Sequence, residues 1–564
     1  MNVRPGDHEN YLLRAARLYQ EWLCMGWMLT ENQRLLYQLL NQKALRADSY
    51  KNVKQVVDER REELAPREDG MYRDDHQQPS VGRKILSSSF TGSPRWYNAK
   101  FQDAMAICRK FHKPDFFITM TCNPHWPEIE AELKEGQKPQ DRPDLVARVF
   151  KLKKDQLLRD LKKGGVLGRA VADIHVIEFQ KRGLPHAHIL IILAPQDSPI
   201  TPDLVDSIVC EELPPSPDDT NDPNEKEERQ RLQTIVLNNM IHGPCGKLNP
   251  KSPCMEDGRC TKSYPKEFVK HTVVDPDSYY ATYRRRSPED GGRSIVCPKT
   301  GRVIDNRWIV PYNPFLSKRY NCHINTEICT SPKAAKYLCK YQTKGNDRAM
   351  VATGVEGQEG ARDEISDYQD LRSVGSSEAA WHLLGFPITD RYPPVQALRV
   401  HLEDEQQVVF DEGTEDEALD KQRNTELTAF FNFNKGMVED NGEDADLLPK
   451  YVDMPEKYRY DKPKKKWVLR KNNMDVVIGR VHSVNPVAGD VYFLRILLHN
   501  DYCRGKKSFQ DLLTLQNGHK CETFKEVCYE LGLLADDQEW QRVLEESAIT
   551  KMCPQIRELF VTIL

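Results

Sequence analysis

The sequence predicts an α+β protein with a central antiparallel sheet flanked by helices, and three observations carry that expectation. ADIHVIEFQ, KRGL and PHAHILIILAP read as strand, tight turn and strand, which is a hairpin. DFFITMTCNP reads as a further strand stopped by an Asn-Pro breaker. YLLRAARLYQEWLCMGWML and ENQRLLYQLLNQKALRADSYKNVKQVVDER keep apolar residues at helical spacing, so residues 1–80 form a helical N-terminal region.

At 564 residues and 65.2 kDa the chain has room for more than one core. Mean hydropathy is -0.67 and no apolar run approaches the roughly 20 residues of a membrane span, so a soluble protein without a membrane partner is expected. MNVRPGDHENYLLRAARLYQ has no secretory h-region, which argues for an intracellular site. Fifteen cysteines, an odd count, fit free thiols and a metal site better than a disulfide framework. The net charge of -4 hides an asymmetry. Residues 1–350 carry 55 Lys+Arg against 46 Asp+Glu, whereas residues 351–564 carry 26 against 39. Residues 251–350 alone hold 19 basic and 10 acidic side chains, and TYRRRSP and SPKAAKYLCKYQTKG there mix cations with tyrosines, a composition suited to phosphates and bases.

Along the chain, a polar insert at 198–232 reads as a mobile excursion ending in a helix start, and a Cys/Pro/Gly-rich loop occupies 242–268. SIVCPKT, RVIDNRWIVPYNP and YNCHINTEIC are strand-like, and a helix opens at Ser331-Pro332 and closes at Gly345. Residues 351–450 form an acidic linker and helical region. Residues 451–564 form a mixed connector that includes KPKKKWVLRK, read as a solvated linker or a nuclear-import signal.

His186 and His188 flank Ala187 on the second hairpin strand, so both imidazoles project from one face. Pairing about Gly183 would set Gln180 opposite His186 and Glu178 opposite His188, which offers either side chain as a third ligand. Two histidines and an oxygen ligand suit a divalent cation with open positions, able to polarise a phosphodiester; a cupin-type oxygenase also uses such a pair. On the expected helix, Tyr337 and Tyr341 are four apart and share a face, and Lys340 and Lys344 follow each tyrosine by three. A phenol with an ordinary pKa near 10 needs such cations or a metal to act as a nucleophile. His242, Cys245, Cys254 and Cys260 are soft ligands among turn-forming residues, suited to structural Zn²⁺, with free thiols as the alternative.

The ordered blocks FITMTCNPHWPEI, HVIEFQKRGLPHAHIL, HGPCGKLNPKSPCM, RCTKSYPKEF, YNCHINTEIC and YLCKYQTKG resemble the HUH nucleases of rolling-circle replication, specifically the Helitron-like transposases. The resemblance implies an HUH nuclease core over residues 81–350, with Mg²⁺ or Mn²⁺ held by His186, His188 and Gln180 or Glu178. It implies Tyr337 and Tyr341 as nucleophiles that attack single-stranded DNA, leaving a 5′-phosphotyrosine link and a free 3′-hydroxyl. Nuclear localisation goes with this reading, and so does a non-catalytic DNA-binding remnant as its alternative. The family usually continues into a helicase, but no GxxxxGK[ST] phosphate cradle is present, so ATP hydrolysis is not expected of this chain. The chain looks like one that stops where the helicase would begin.

Overall fold

The computed structural model describes residues 11–42, 85–179, 183–199, 201–275, 281–297, 301–329, 364–369, 374–403, 405–406, 424–442, 444–471, 476–482, 484 and 488–534. The chain divides into two compact units. The first comprises Met1–Arg34, Cys108–Ala352 and Leu371–Tyr392, and the second Leu35–Ile107, Thr353–Asp370 and Pro393–Leu564. Among the described residues no helix is long and apolar enough to cross a membrane.

The first unit is built on a five-stranded antiparallel sheet. Its strands are β1 (Phe116–Thr121), β2 (Ala170–Phe179), β3 (Pro185–Leu193), β4 (Ile324–Ile328) and β5 (Thr389–Tyr392), in the order β4-β1-β3-β2-β5. Five helices matter below: α1 (Arg17–Leu40), of which Arg17–Arg34 belongs to this unit and the last turns to the second, and α2 (Pro143–Lys163), α3 (Pro223–Asn239), α4 (Pro314–Tyr320) and α5 (Ser376–Leu383) of the first unit. α2 opens with Pro143 and Asp144 and closes on Lys162 and Lys163, so its end charges match the helix dipole.

Alternation along the strands gives the sheet two different faces. Phe116, Ile118 and Met120 of β1 and Ala187, Ile189 and Ile191 of β3 enter the core with Phe150, Leu157 and Leu161 of α2. Trp126, Trp381 of α5, and Tyr19, Leu23 and Trp27 of α1 complete that core. The alternate residues of β1 and β3, Phe117, Thr119, Thr121, His186, His188 and Leu190, share the other face. All nine residues of β3 are buried, which is why this strand reads as a nearly unbroken apolar run in which two histidines stand out.

Two expectations are corrected. Glu178 pairs with His186, Val176 with His188 and Phe179 with Pro185, so the hairpin is not centred on Gly183. Gly183, with φ of 81°, lies in a five-residue connection whose reversal needs the left-handed region, and that longer loop shifts the register by two residues. The insert at 198–232 is largely helical. Thr201 caps Pro202–Ile208 by accepting from the Leu204 N–H, and Asp222 caps α3 by accepting from the Asn224 N–H, each followed by proline at the first helical position.

The second unit has its own core of Leu427, Phe430, Tyr451, Trp467, Leu494 and Val527. It includes the parallel pair Val395–Leu398 and Ile478–Val481 and the antiparallel hairpin Tyr458–Asp461 and Lys466–Leu469. The basic run KPKKKWVLRK is therefore a strand and its turn rather than a linker: Trp467 is buried and donates from Nε1 to the Glu426 carbonyl at 3.0 Å.

Phe150 is fully buried between Trp126 and Trp381, with ring centroids 6.5 and 6.2 Å away. Phe150→Ala is expected to cost about 3–5 kcal/mol in denaturant unfolding, and an unchanged midpoint would contradict this packing.

Candidate active site and zinc cluster

Cross-strand register assembles the site in rows on the sheet face away from the core. Glu178, His186 and Thr121 form one row across β2, β3 and β1; Val176, His188, Thr119 and Asn325 form the next across β2, β3, β1 and β4. Each histidine therefore faces a threonine. Thr121 Oγ1 lies 2.9 Å from His186 Nδ1, and Thr119 Oγ1 lies 3.1 Å from His188 Nδ1. With the Nδ1 proton of His186 assigned to its bond with Thr121, the lone pair of that ring sits on Nε2, the tautomer a metal ligand requires, and the Thr119 hydroxyl can serve His188 Nδ1 as donor or acceptor.

The two Nε2 atoms meet different surroundings. His188 Nε2 is 3.0 Å from Glu178 Oε2, so Glu178 reaches diagonally past its direct partner His186. A carboxylate only accepts, so in the metal-free chain His188 Nε2 carries a proton and donates it to Glu178, and a cation bound there would take that proton's place. His186 Nε2 is buried with no hydrogen-bond partner among the described residues, a costly arrangement for a polar nitrogen. These orphaned and opposed atoms fit a cation-binding donor set in chemistry. The three side chains are not, however, among the groups whose ligand atoms all lie within 4.8 Å of one another.

Burial pushes His186 down to about 4, helped by the neighbouring His188 and His323, while Glu178 works the other way. His186 is thus neutral at pH 7. His323 enters from β4's edge: its carbonyl accepts the Thr121 N–H at 2.8 Å, and its Nδ1 donates to the Asn239 carbonyl at 2.7 Å. Burial lowers His323 as well. Phe117 stacks on His188 with centroids 5.8 Å apart. Gln180, Tyr337, Lys340, Tyr341 and Lys344 lie outside the described residues.

The residue reading of HxH did not foresee Thr119, Thr121 or His323. A signal for the threonines was present: FITMT places two hydroxyls two apart, the same spacing as the two histidines, so pairing in register matches them one to one. Nothing in the local sequence of YNCHINTEIC marks His323, because its place depends on β4 joining the far edge of β1.

The soft-ligand cluster does assemble. Ligand atoms of His242, Cys245, Cys254 and Cys260 all lie within 4.8 Å of one another, with Cys260 Sγ 3.4 Å from His242 Nε2. The ribbon Met255–Glu256 and Arg259–Cys260 brings two of the cysteines together. Its turn residues Asp257 and Gly258 both have positive φ, 48° and 76°, as a tight two-residue hairpin turn demands. The loop is tied down at both ends, since His242 N–H donates to the Trp308 carbonyl and Lys266 N–H to the Arg307 carbonyl. The His242 ring stacks on Tyr264 at 4.1 Å. Burial and then the adjacent Cys260 and Cys254 push the Cys245 thiol up to about 12. Burial opposes ionisation of Cys260 too, but backbone N–H groups of Tyr264 and Lys262 and the neighbouring thiols hold it below the usual thiol range. A donor set of three sulfurs and one imidazole is suited to Zn²⁺. A second, smaller group, His519, Cys521 and Glu526, lies in the second unit.

With fold and site described, comparison with known proteins adds a family. Residues 1–191 match the family model of the Helitron helicase-like domain found at the N-terminus, a stretch that contains β1 and β2 and runs to Ile191 within β3. Over that stretch, about a third of its length, the chain is similar to the Helitron helicase-like domain. No curated protein matches the chain.

Because the His186 pKa lies below the roughly 6.5 of a free histidine, the unfolded chain binds the extra proton between these values. The contribution of this group to stability is therefore complete above about pH 6.5 and is lost as pH falls towards 4. An NMR titration of the metal-free protein is expected to place the His186 ring midpoint near 4, and a midpoint near 6.5 would contradict its burial.

Proposed function

We propose that the protein nicks single-stranded DNA and transfers the strand through a 5′-phosphotyrosine intermediate, as a nuclear transposition enzyme. The observation that supports this most is the buried, unpartnered Nε2 of His186 on the face that also holds His188 and Glu178, within a Helitron-related domain. His186, His188 and Glu178 would hold Mg²⁺ or Mn²⁺. When bound, such a cation supplies Lewis-acid polarisation of the scissile phosphodiester and offsets charge in the transition state.

This chain's own residues do the rest. Thr121 fixes the His186 imidazole in the tautomer that presents Nε2, and Thr119 pairs with His188 Nδ1 as donor or acceptor. A tyrosine hydroxyl, of Tyr337 or Tyr341, attacks phosphorus; its Oη–P bond forms as the P–O3′ bond breaks, and the proton lost by the phenol balances the one gained by the 3′-oxygen. No water is consumed, so the linkage stays available for rejoining. Lys340 and Lys344 counter the phosphate charge and favour phenolate.

The spread of His186, His188 and Glu178 beyond 4.8 Å supports a second reading, a DNA-binding remnant that has lost its catalytic cation. Incubation with Mn²⁺ and labelled single-stranded DNA separates the two. A covalent protein–DNA adduct is expected, abolished by chelator and by His186→Ala, and lost in the Tyr337→Phe/Tyr341→Phe double variant. Binding without an adduct on any sequence tested would overturn the enzymatic reading. Thr121→Val is expected to raise the Mn²⁺ concentration needed for half-maximal adduct about 10–100-fold while leaving DNA binding intact.

The cluster at His242, Cys245, Cys254 and Cys260 is assigned to a structural Zn²⁺, which would replace the apolar core that this loop lacks. Metal analysis is expected to find zinc that is lost in the Cys254→Ser/Cys260→Ser variant, with increased proteolysis confined to residues near 242–268. Full retention of zinc by that variant would contradict the assignment.

A further inference from the structure

α1 is apolar on two sides, and among the described residues only one of them is packed into a core. Tyr19, Leu23 and Trp27 are buried in the first unit, where Trp27 stacks on His382 with centroids 4.3 Å apart. On the other side Leu18, Trp22, Met25, Leu29, Leu36 and Leu39 are between 38% and 68% exposed. Their spacing is the informative feature. Steps of 4, 3, 4, 7 and 3 residues place them at alternating core positions of a heptad repeat, and the single gap in the pattern is filled by the exposed Asn32. That is a 3.5-residue period over three heptads, the spacing of a left-handed two-helix coiled coil, and the equally exposed Met28 and Leu40 flank it and widen the apolar face.

We propose that this seam is a homodimer interface, formed by α1 of two copies of the chain packed in parallel. Three features of the seam favour a second copy over another occupant. The amide of Asn32 is both donor and acceptor, so in a parallel pair it meets its own equivalent and is satisfied, whereas an apolar groove or a lipid surface would bury it unpaired. The four charged residues of the helix, Arg17, Glu21, Glu31 and Arg34, all lie off the seam, so two copies approach without burying a charge. The helix is also already held in place through Tyr19, Leu23 and Trp27. Association therefore does not have to order it, a cost that would otherwise make a pair of 24-residue helices marginal.

The test uses the full chain. Sedimentation or light scattering at tens of micromolar is expected to give twice the 65.2 kDa chain mass. Asn32→Lys places a like charge at the centre of the seam while remaining solvent-exposed in the monomer. It is expected to return the mass to 65.2 kDa with an unchanged circular dichroism spectrum. Leu39→Cys tests orientation: a parallel pair brings the two thiols together and gives an oxidation-dependent covalent dimer beyond the wild-type background. A monomeric wild-type protein, a dimer indifferent to Asn32→Lys, or a dimer that Leu39→Cys does not cross-link would each overturn the proposal.

Discussion

The candidate active site depends on the register between β1 and β3. Thr121 opposite His186 and Thr119 opposite His188 are consequences of one pairing, and a slip of a single residue would turn both histidines into the core and bring Ile189 and Ala187 to the site. The apolar side chains on the reverse of the same strands prevent that slip, because Phe116, Ile118, Met120, Ala187, Ile189 and Ile191 are all buried. Packing on one face thereby sets the geometry of polar groups on the other.

The same arrangement explains why two histidines can sit in a nearly dry position. Each ring has one nitrogen paired with a threonine hydroxyl, while His188 Nε2 meets Glu178 and His186 Nε2 meets no partner among the described residues. Burial keeps His186 neutral, and the unpartnered Nε2 is a destabilising feature that nothing in the core requires. What sets it apart from other unsatisfied buried atoms, such as Trp27 Nε1 in the core, is that it lies on the face that also carries His188 and Glu178.

Much of this was legible in the sequence, and the limits have physical causes. The strand alternation of PHAHILIIL shows both histidines on one face, FITMT reads as a strand through its alternating burial, and HVIEF reads as one through its β-branched residues rather than through alternation. The pairing of Glu178 was misjudged because register follows the loop, and a five-residue connection is not distinguishable from a tighter turn by composition. The helical insert was misread for a related reason: acidic and proline-rich composition resembles a mobile loop, yet Thr201 and Asp222 before prolines are helix starts. The role of His323 was illegible because it depends on a strand from more than 130 residues downstream joining the sheet edge. The four zinc-suited ligands were visible as a set, since turn residues bring near neighbours together without long-range pairing.

The central claim is that the face bearing His186, His188 and Glu178 holds a divalent cation. Crystals grown with Mn²⁺ and measured at its absorption edge test it directly. The expected result is an anomalous peak at bonding distance from His186 Nε2, with His188 and Glu178 also turned towards it. A structure in which Mn²⁺ occupies other sites while His186 Nε2 remains without a metal partner would contradict the account.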